Sequence, residues 1–450
     1  MKKIDENFYG YIRVEGDTYT YNVSDNIVTL LPAQSDPQKR DDSLYRIKSH
    51  KTDTPEYLFG EDNNSMIAIL RNGKFVTDPI GTNVAIRFAT PIIIKACGNA
   101  EGFFNMLTED WCKFHAITFC GGNINALYTP GIAIEQPDVS ELLKYDGART
   151  IKMRPWSAYT RTTQFQIENE KVTLTVSIGQ TAETNNAENR GAYNLGKVYT
   201  FFRFSFENAQ GFEKMEKYYI IARKIVAILT SQNNICFEEV YLSQRNSEQK
   251  YFKTGICKIF DSYENYSIRQ WHKVIPIFSV FDYIPNLIDG IVNGKVNSLL
   301  ELLPEDNKMV NRISIKNVQD LCTALEVSYQ LDDKRKREKD ALIEELKKNI
   351  KNTIAEFTKA HNEIDVNKET TMSSAFQYLD YTLKQKILTL YNENSDIVDE
   401  IVSKYSLPSV NENSIASFVK LRNNKTHSGT GEWGGGKCKD IYTLVCYRLC

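Results

Sequence analysis

The chain has 450 residues, of which 42% are hydrophobic and 25% charged, and its formal net charge is −2. That length supports two or three domains with their own cores and argues against global disorder. The near-neutral charge excludes a protein that holds nucleic acid through an overall positive field, so any RNA contact must come from locally placed basic groups.

The chain opens with Met1-Lys2-Lys3-Ile4-Asp5, which lacks the apolar core of a signal peptide. Residues 1 to about 206 read as short strands. Val84-Ala85-Ile86-Arg87-Phe88, Val172 to Ile178 and Val198 to Phe206 alternate or concentrate β-branched and aromatic side chains. Asn72-Gly73 and Cys120-Gly121-Gly122-Asn123 read as turns between strands, so the expected architecture is an antiparallel sandwich or barrel. A helix follows, with Phe212, Met215, Tyr219, Ala222, Ile225, Val226 and Leu229 at helical spacing, then strands near 236–242 and 251–260. Runs such as Val274 to Phe278 are far too short to span a membrane.

From about residue 280 the pattern turns helical. Val318, Leu321, Cys322, Leu325 and Tyr329 form one stripe; Phe376, Leu379, Leu383, Ile387 and Leu390 form another. Between them runs a charged segment with Glu344 and Lys348 placed for an i,i+4 pair. Past Pro408, Asn411 or Asn413 can cap a helix carrying Ile415, Phe418 and Val419, and a last helix holds Ile441, Leu444 and Val445. The expected fold class is α+β: a β-rich domain over residues 1–265, a helical connector over 266–314 and a helical bundle over 315–450. Nine cysteines, odd in number and scattered, read as reduced thiols in the cytoplasm.

The chemistry concentrates in Arg422-Asn423-Asn424-Lys425-Thr426-His427, followed by Ser428-Gly429. An Arg and a His five residues apart can bind a phosphodiester and move its proton without a metal. With 18 Arg and 5 His in the chain, chance supplies roughly 0.6 such pair, so the motif takes its weight from its setting. Positions 415, 418, 419 and 422 form an i, i+3, i+4, i+7 series, which puts Arg422 on an apolar stripe. A guanidinium there either meets a carboxylate, for instance Glu326, or faces a cleft or dimer seam where it can take a phosphate. His427, two residues before Gly429, sits near an expected helix end, where the carbonyl-rich terminus favours imidazolium. Its reference pKa near 6.5 suits proton transfer at neutral pH. Five residues of continuous helix turn through about 500°, leaving the two side chains some 140° apart. They converge only if the helix breaks between them or a second chain supplies the missing side.

Leu421-Arg422-Asn423 with His427-Ser428-Gly429 resembles the R-x4-6-H motif of the HEPN superfamily, and most closely its Apea-like branch of abortive-infection, phage-defence proteins. Leu321 to Glu326 is similar to the opening helix of that branch, including the Glu. The resemblance covers about residues 315–450 by sequence and the rest by architecture. It implies a metal-independent endoribonuclease that works as a homodimer through the helical domain. Carried over by position, Arg422 binds and stabilises the phosphate, His427 is general base or acid, Asn423 orients the His or the substrate, and Glu326 supports. The implied reaction is attack of a ribose 2′-OH on the adjacent phosphate, with RNA as partner, transfer RNA a candidate by resemblance alone, no cofactor, and a phage-derived trigger sensed by the β-rich domain. Two features depart from the family: the last helix is short, which leaves a shortened C-terminus open, and residues 316–450 carry 20 Lys+Arg against 20 Asp+Glu. Such a neutral domain would read a shaped RNA locally. Two other readings stand beside this one: a non-catalytic HEPN scaffold that binds a protein or nucleotide through its β domain, and a glycan-binding sandwich with a helical dimerisation module.

Other constellations read as structure. Cys112, His115 and Cys120 have knuckle-like spacing but sit among apolar neighbours without a fourth ligand. Cys446 and Cys450 share a helical face suited to packing, and Lys334 to Arg337 is flanked by acids, as on a solvated helix. P-loop, G-x-G-x-x-G, G-x-S-x-G and H-E-x-x-H motifs do not occur.

Overall fold

A computed structural model describes residues 8–14, 16–49, 56–62, 65–80, 83–97, 111–135, 153–183, 194–260, 274–305, 315–330, 341–361, 382–404 and 409–427. The fold is α+β, and the chain divides into two compact units, Met1–Asn293 and Gly294–Cys450. The division falls inside the 266–314 stretch.

The first unit opens with β1 (Phe8–Val14), β2 (Asp17–Ser24), β3 (Ile27–Pro32), α1 (Pro37–Ser49), β4 (Glu56–Asp62), β5 (Ser65–Ile80) and β6 (Asn83–Ala89). Antiparallel pairings run β1–β2–β3–β6–β5–β4 and return from β4 to β1, closing a six-stranded barrel. The ring leaves no open edge among its six strands. Period-two alternation drives it: Phe8, Ile12 and Val14 of β1, Tyr19 and Tyr21 of β2 and Leu30 of β3 turn inward, joined by Ile67, Ile69, Ile86 and Phe88. Leu44 and Ile47 of α1 enter the same core, and the Tyr19 hydroxyl donates to the Ser43 carbonyl at 2.9 Å. At the β1–β4 seam the backbones come so close that a Cβ on Gly10 would strike the Glu61 carbonyl, and one on Gly60 that of Tyr11. Only glycine closes the ring there.

Asn72-Gly73, expected as a turn, instead lies within β5, where the pairing with β6 shifts register between Asn72 and Val76. The shift bends one long strand so that its first half serves β4 and β7 (Ile92–Ala96) and its second half β6. From β7 the sheet continues through β8 (Lys113–Cys120), α2 (Gly122–Leu127), β9 (Arg161–Ile167), β10 (Glu170–Glu183), β11 (Asn194–Gly211), α3 (Met215–Thr230), β12 (Glu239–Arg245) and β13 (Tyr251–Ile259), and α4 (Ile284–Val292) follows. Its strand order is β7-β13-β12-β8-β11-β10-β9, all antiparallel. Gly121-Gly122 is likewise no strand-to-strand turn, because β8 passes straight into α2. The helix expected from Phe212 starts at Met215 after a single 3-10 turn. It buries Met215, Ala222, Ile225, Val226 and Leu229, and the rings of Tyr218 and Tyr219 meet Phe204, Phe206 and Phe119 of the sheet.

The second unit holds α5 (Asn297–Leu302), α6 (Ile315–Gln330), α7 (Ala341–Ala360), α8 (Leu383–Glu393), α9 (Ser395–Lys404) and α10 (Glu412–His427). Its core joins the expected stripes: Val318, Leu321, Cys322 and Leu325 of α6, Ile387 of α8, and Ile415 and Phe418 of α10. A capping box of Thr382 and Gln385 starts α8. At α10 the Asn411 side chain accepts from the Ser414 N–H at 2.9 Å while Ser414 Oγ accepts from the Asn411 N–H at 2.9 Å, so Asn411 is the cap. Glu344 pairs with Lys347 at 3.1 Å, one turn position short of the expected Lys348, because i+3 and i+4 neighbours compete for the same carboxylate. Phe376, Leu379, Lys334 to Arg337, Gly434 to Gly436, the Ile441 helix and Cys438, Cys446 and Cys450 lie outside the described residues. Among those described, no helix is long and apolar enough to cross a membrane.

Candidate functional site

The Asn411 cap sets the phase of α10, and that phase decides where Arg422 goes. Ile415 and Phe418 are buried against α6 and α8, Val419 packs beside them, and Arg422 continues the same face. It is half-buried, and its Nη1 donates to the Asn423 side-chain oxygen at 3.1 Å. Its charge is felt on α6: burial pushes the Cys322 thiol up to about 12, with the Arg422 guanidinium working against that rise and the Glu326 carboxylate adding to it. Arg422 and Glu326 therefore both address the neighbourhood of Cys322, although the ion pair of Glu326 is made to Lys386 of α8, at 3.8 Å. A buried neutral thiol is a poor nucleophile. Iodoacetamide at about pH 8 should leave Cys322 unlabelled in the folded protein and label it in denaturant, by peptide mass mapping. Rapid labelling of the native protein would mean that the α6–α10 contact opens readily.

Helix α10 runs unbroken from Glu412 to His427, so His427 is its last residue, at the carbonyl-rich end where a cation is favoured. Of the two ways for Arg422 and His427 to converge, a break in the helix between them is therefore removed. On the intact helix they stand about 7.5 Å apart along the axis and about 140° around it. Asn423, one residue past Arg422, is exposed and engaged with the guanidinium, which holds that side chain to one side. A single copy thus presents Arg422 and Asn423 together, while position 427 lies about 140° further around the helix axis.

Cys112, His115 and Cys120 are not assembled for a metal. His115 and Cys120 lie five apart on or at the end of β8, so they face opposite sides of the sheet. Among the described residues, no group of three or more His, Cys, Asp or Glu side chains is placed to hold a metal ion. A cavity of about 460 Å³ in the first unit escaped sequence reasoning, since its lining comes from β4, β5 and the approach to α3. Tyr57, Phe59, Leu70 and Phe212 supply apolar walls, and Glu56, Glu213 and Glu216 supply charge. Glu56 bonds Arg71 at 2.7 Å, and the other two suit the start of α3. That sign repels phosphate, so an RNA backbone does not belong there.

Compared with family models, curated proteins and solved structures, the chain matches none.

Proposed function

We propose that the chain is a metal-independent endoribonuclease of HEPN type whose active site forms between two copies, each giving Arg422 to one site and His427 to the other. The observation that carries this reading is the placement of Arg422 at the end of a buried stripe on an unbroken helix that also bears His427. In this mechanism Arg422 pairs its forked donors with the non-bridging phosphate oxygens and stabilises the charge that grows there. His427 takes the proton of the attacking 2′-OH or returns one to the departing 5′-oxygen. The P–O5′ bond breaks as the O2′–P bond forms, leaving a cyclic phosphate and a 5′-hydroxyl. The nucleophile belongs to the RNA, so the protein supplies only proton transfer and charge. Asn423 positions the guanidinium to which it is bonded. The biological setting we propose is anti-phage abortive infection in the cytoplasm, with transfer RNA as candidate substrate and the β-rich unit answering a phage-derived trigger.

Incubation with total transfer RNA in EDTA should yield fragments ending in cyclic phosphate. The absence of cleavage under every activating condition would sink the reading. A second reading, a non-catalytic scaffold, draws on the bond from Arg422 to Asn423 and its influence on Cys322, which keep the guanidinium occupied inside the protein. Growth arrest on expression that disappears in Arg422→Ala separates the nuclease from the scaffold.

A further inference from the structure

Helix α3 covers one face of the sheet of the first unit, touching Phe204 and Phe206 of β11. Successive residues of a strand face opposite ways, so Phe201 and Arg203 belong to the other face. There the side chains form a ladder of rings and cations. The Trp156 indole stacks on Phe201 with ring centres 6.2 Å apart and planes at 29°. The Arg203 guanidinium lies 4.8 Å from the Phe201 ring and 5.2 Å from that of Tyr251, and Arg245 lies 5.6 Å from Tyr251. Across β12 and β13, Lys253 sits 4.6 Å from the Tyr241 ring. Backbone register ties the ladder together, because Thr118 of β8 is flanked by Arg203 on one side and Tyr241 on the other.

Cross-strand pairs of this kind stabilise any sheet face. Two properties go further. Among the described residues the ladder gathers three cations, Arg203, Arg245 and Lys253, of which Lys253 engages Glu239 and Arg245 donates to the Phe206 carbonyl, in a chain whose net charge is −2. At one end the ladder leaves Trp156 52% exposed while it stacks on Phe201. Arg203 is anchored by its Nε, which donates to Thr118 Oγ1 at 3.1 Å, so its charge is held in place before any ligand arrives. Phe201 and Tyr241 are themselves buried, so the exposed Trp156 ring beside a fixed guanidinium is the part that can take an unpaired base and its phosphate. A duplex, with its bases already stacked, has no use for the indole.

We propose that this face binds single-stranded nucleic acid, with a base stacking on Trp156 and phosphates against Arg203 and Lys253. The site lies in the β-rich unit and goes beyond the nuclease reading, since it uses neither Arg422 nor His427.

The test uses the full chain carrying His427→Ala, so that bound RNA is not cut, and labelled oligonucleotides of about 12 nucleotides as single-stranded RNA, the same sequence in DNA, and a duplex. Fluorescence anisotropy should show single strands of either sugar bound more tightly than duplex. Trp156→Ala should weaken that binding about tenfold and Trp156→Phe much less, with unchanged circular dichroism. Lys253→Gln should lower the salt dependence by about 0.7 in slope. Equal binding by Trp156→Ala, duplex bound as tightly as single strand, or no binding at all overturns the proposal. Each of those results leaves the nuclease reading untouched, and loss of nuclease activity leaves this one untouched.

Discussion

Mixing two inactive variants should restore RNA cleavage. His427→Ala removes the proton-transfer group and should cut the rate about 10²–10⁴-fold. Arg422→Ala removes the charge opposite the phosphate and should cost about 10²–10³-fold. In a two-fold dimer with composite sites, a heterodimer of the two variants has one site lacking both groups and one with both intact. Random assortment makes half the dimers mixed, so the mixture should recover about a quarter of wild-type activity. A site built within one chain gives no recovery, because every copy lacks one essential group. The expectation follows from α10, which is helical from Glu412 to His427 and so sets positions 422 and 427 about 140° apart around its axis. If single variants are inactive and the mixture stays inactive, the composite site is wrong even if the nuclease is real. If His427→Ala cleaves like wild type, the catalytic assignment itself is wrong.

Phe418→Ala should unfold the helical unit far more readily while leaving the barrel intact. Phe418 is 2% exposed and lies in the cluster that joins α6, α8 and α10. Truncating a buried Phe removes its transfer free energy and leaves a cavity, at a cost of about 3–5 kcal/mol. Against a typical domain stability of about 5–15 kcal/mol, that is a large fraction. Urea unfolding followed by far-UV circular dichroism and, in a Trp433→Phe background, by tryptophan fluorescence should resolve the change, since Trp111, Trp156 and Trp271 all belong to the first unit. The helical transition should move to lower urea, and the fluorescence transition of the first unit should stay. A shift of less than about 1 kcal/mol would mean that Phe418 is not in a close-packed core. Loss of cleavage in this variant, unlike loss in His427→Ala, should accompany loss of helix.

What could be read in advance follows the range of the forces involved. The strand Val172 to Ile178 declared itself by alternation, and it pairs on both sides as a central strand. Asn411 was legible as a cap because capping is settled within four residues. The position of Arg422 on the buried face of α10 came from spacing alone. Asn72-Gly73 and Gly121-Gly122 depart from the expected turns because a glycine permits a bend without saying whether it becomes a turn, a register shift or a helix entry. Glu344 took Lys347 over Lys348 by a difference too small for spacing to rank.

By itself, the sequence determined the division into a β-rich and a helical part, the α+β class and the apolar faces of the helices, but not the helix Pro37–Ser49 within the β-rich part or the continuity of α10 from Arg422 to His427. What it determined depends on contacts within a turn or on periodicity along one element. Tertiary structure alone decided the closure of the barrel through Gly10 and Gly60, the approach of the Arg422 charge to Cys322, and the stacking of Trp156 on Phe201. Those contacts join residues tens of positions apart. Many pairings of such residues would satisfy the same local pattern, and only packing of the whole unit selects one.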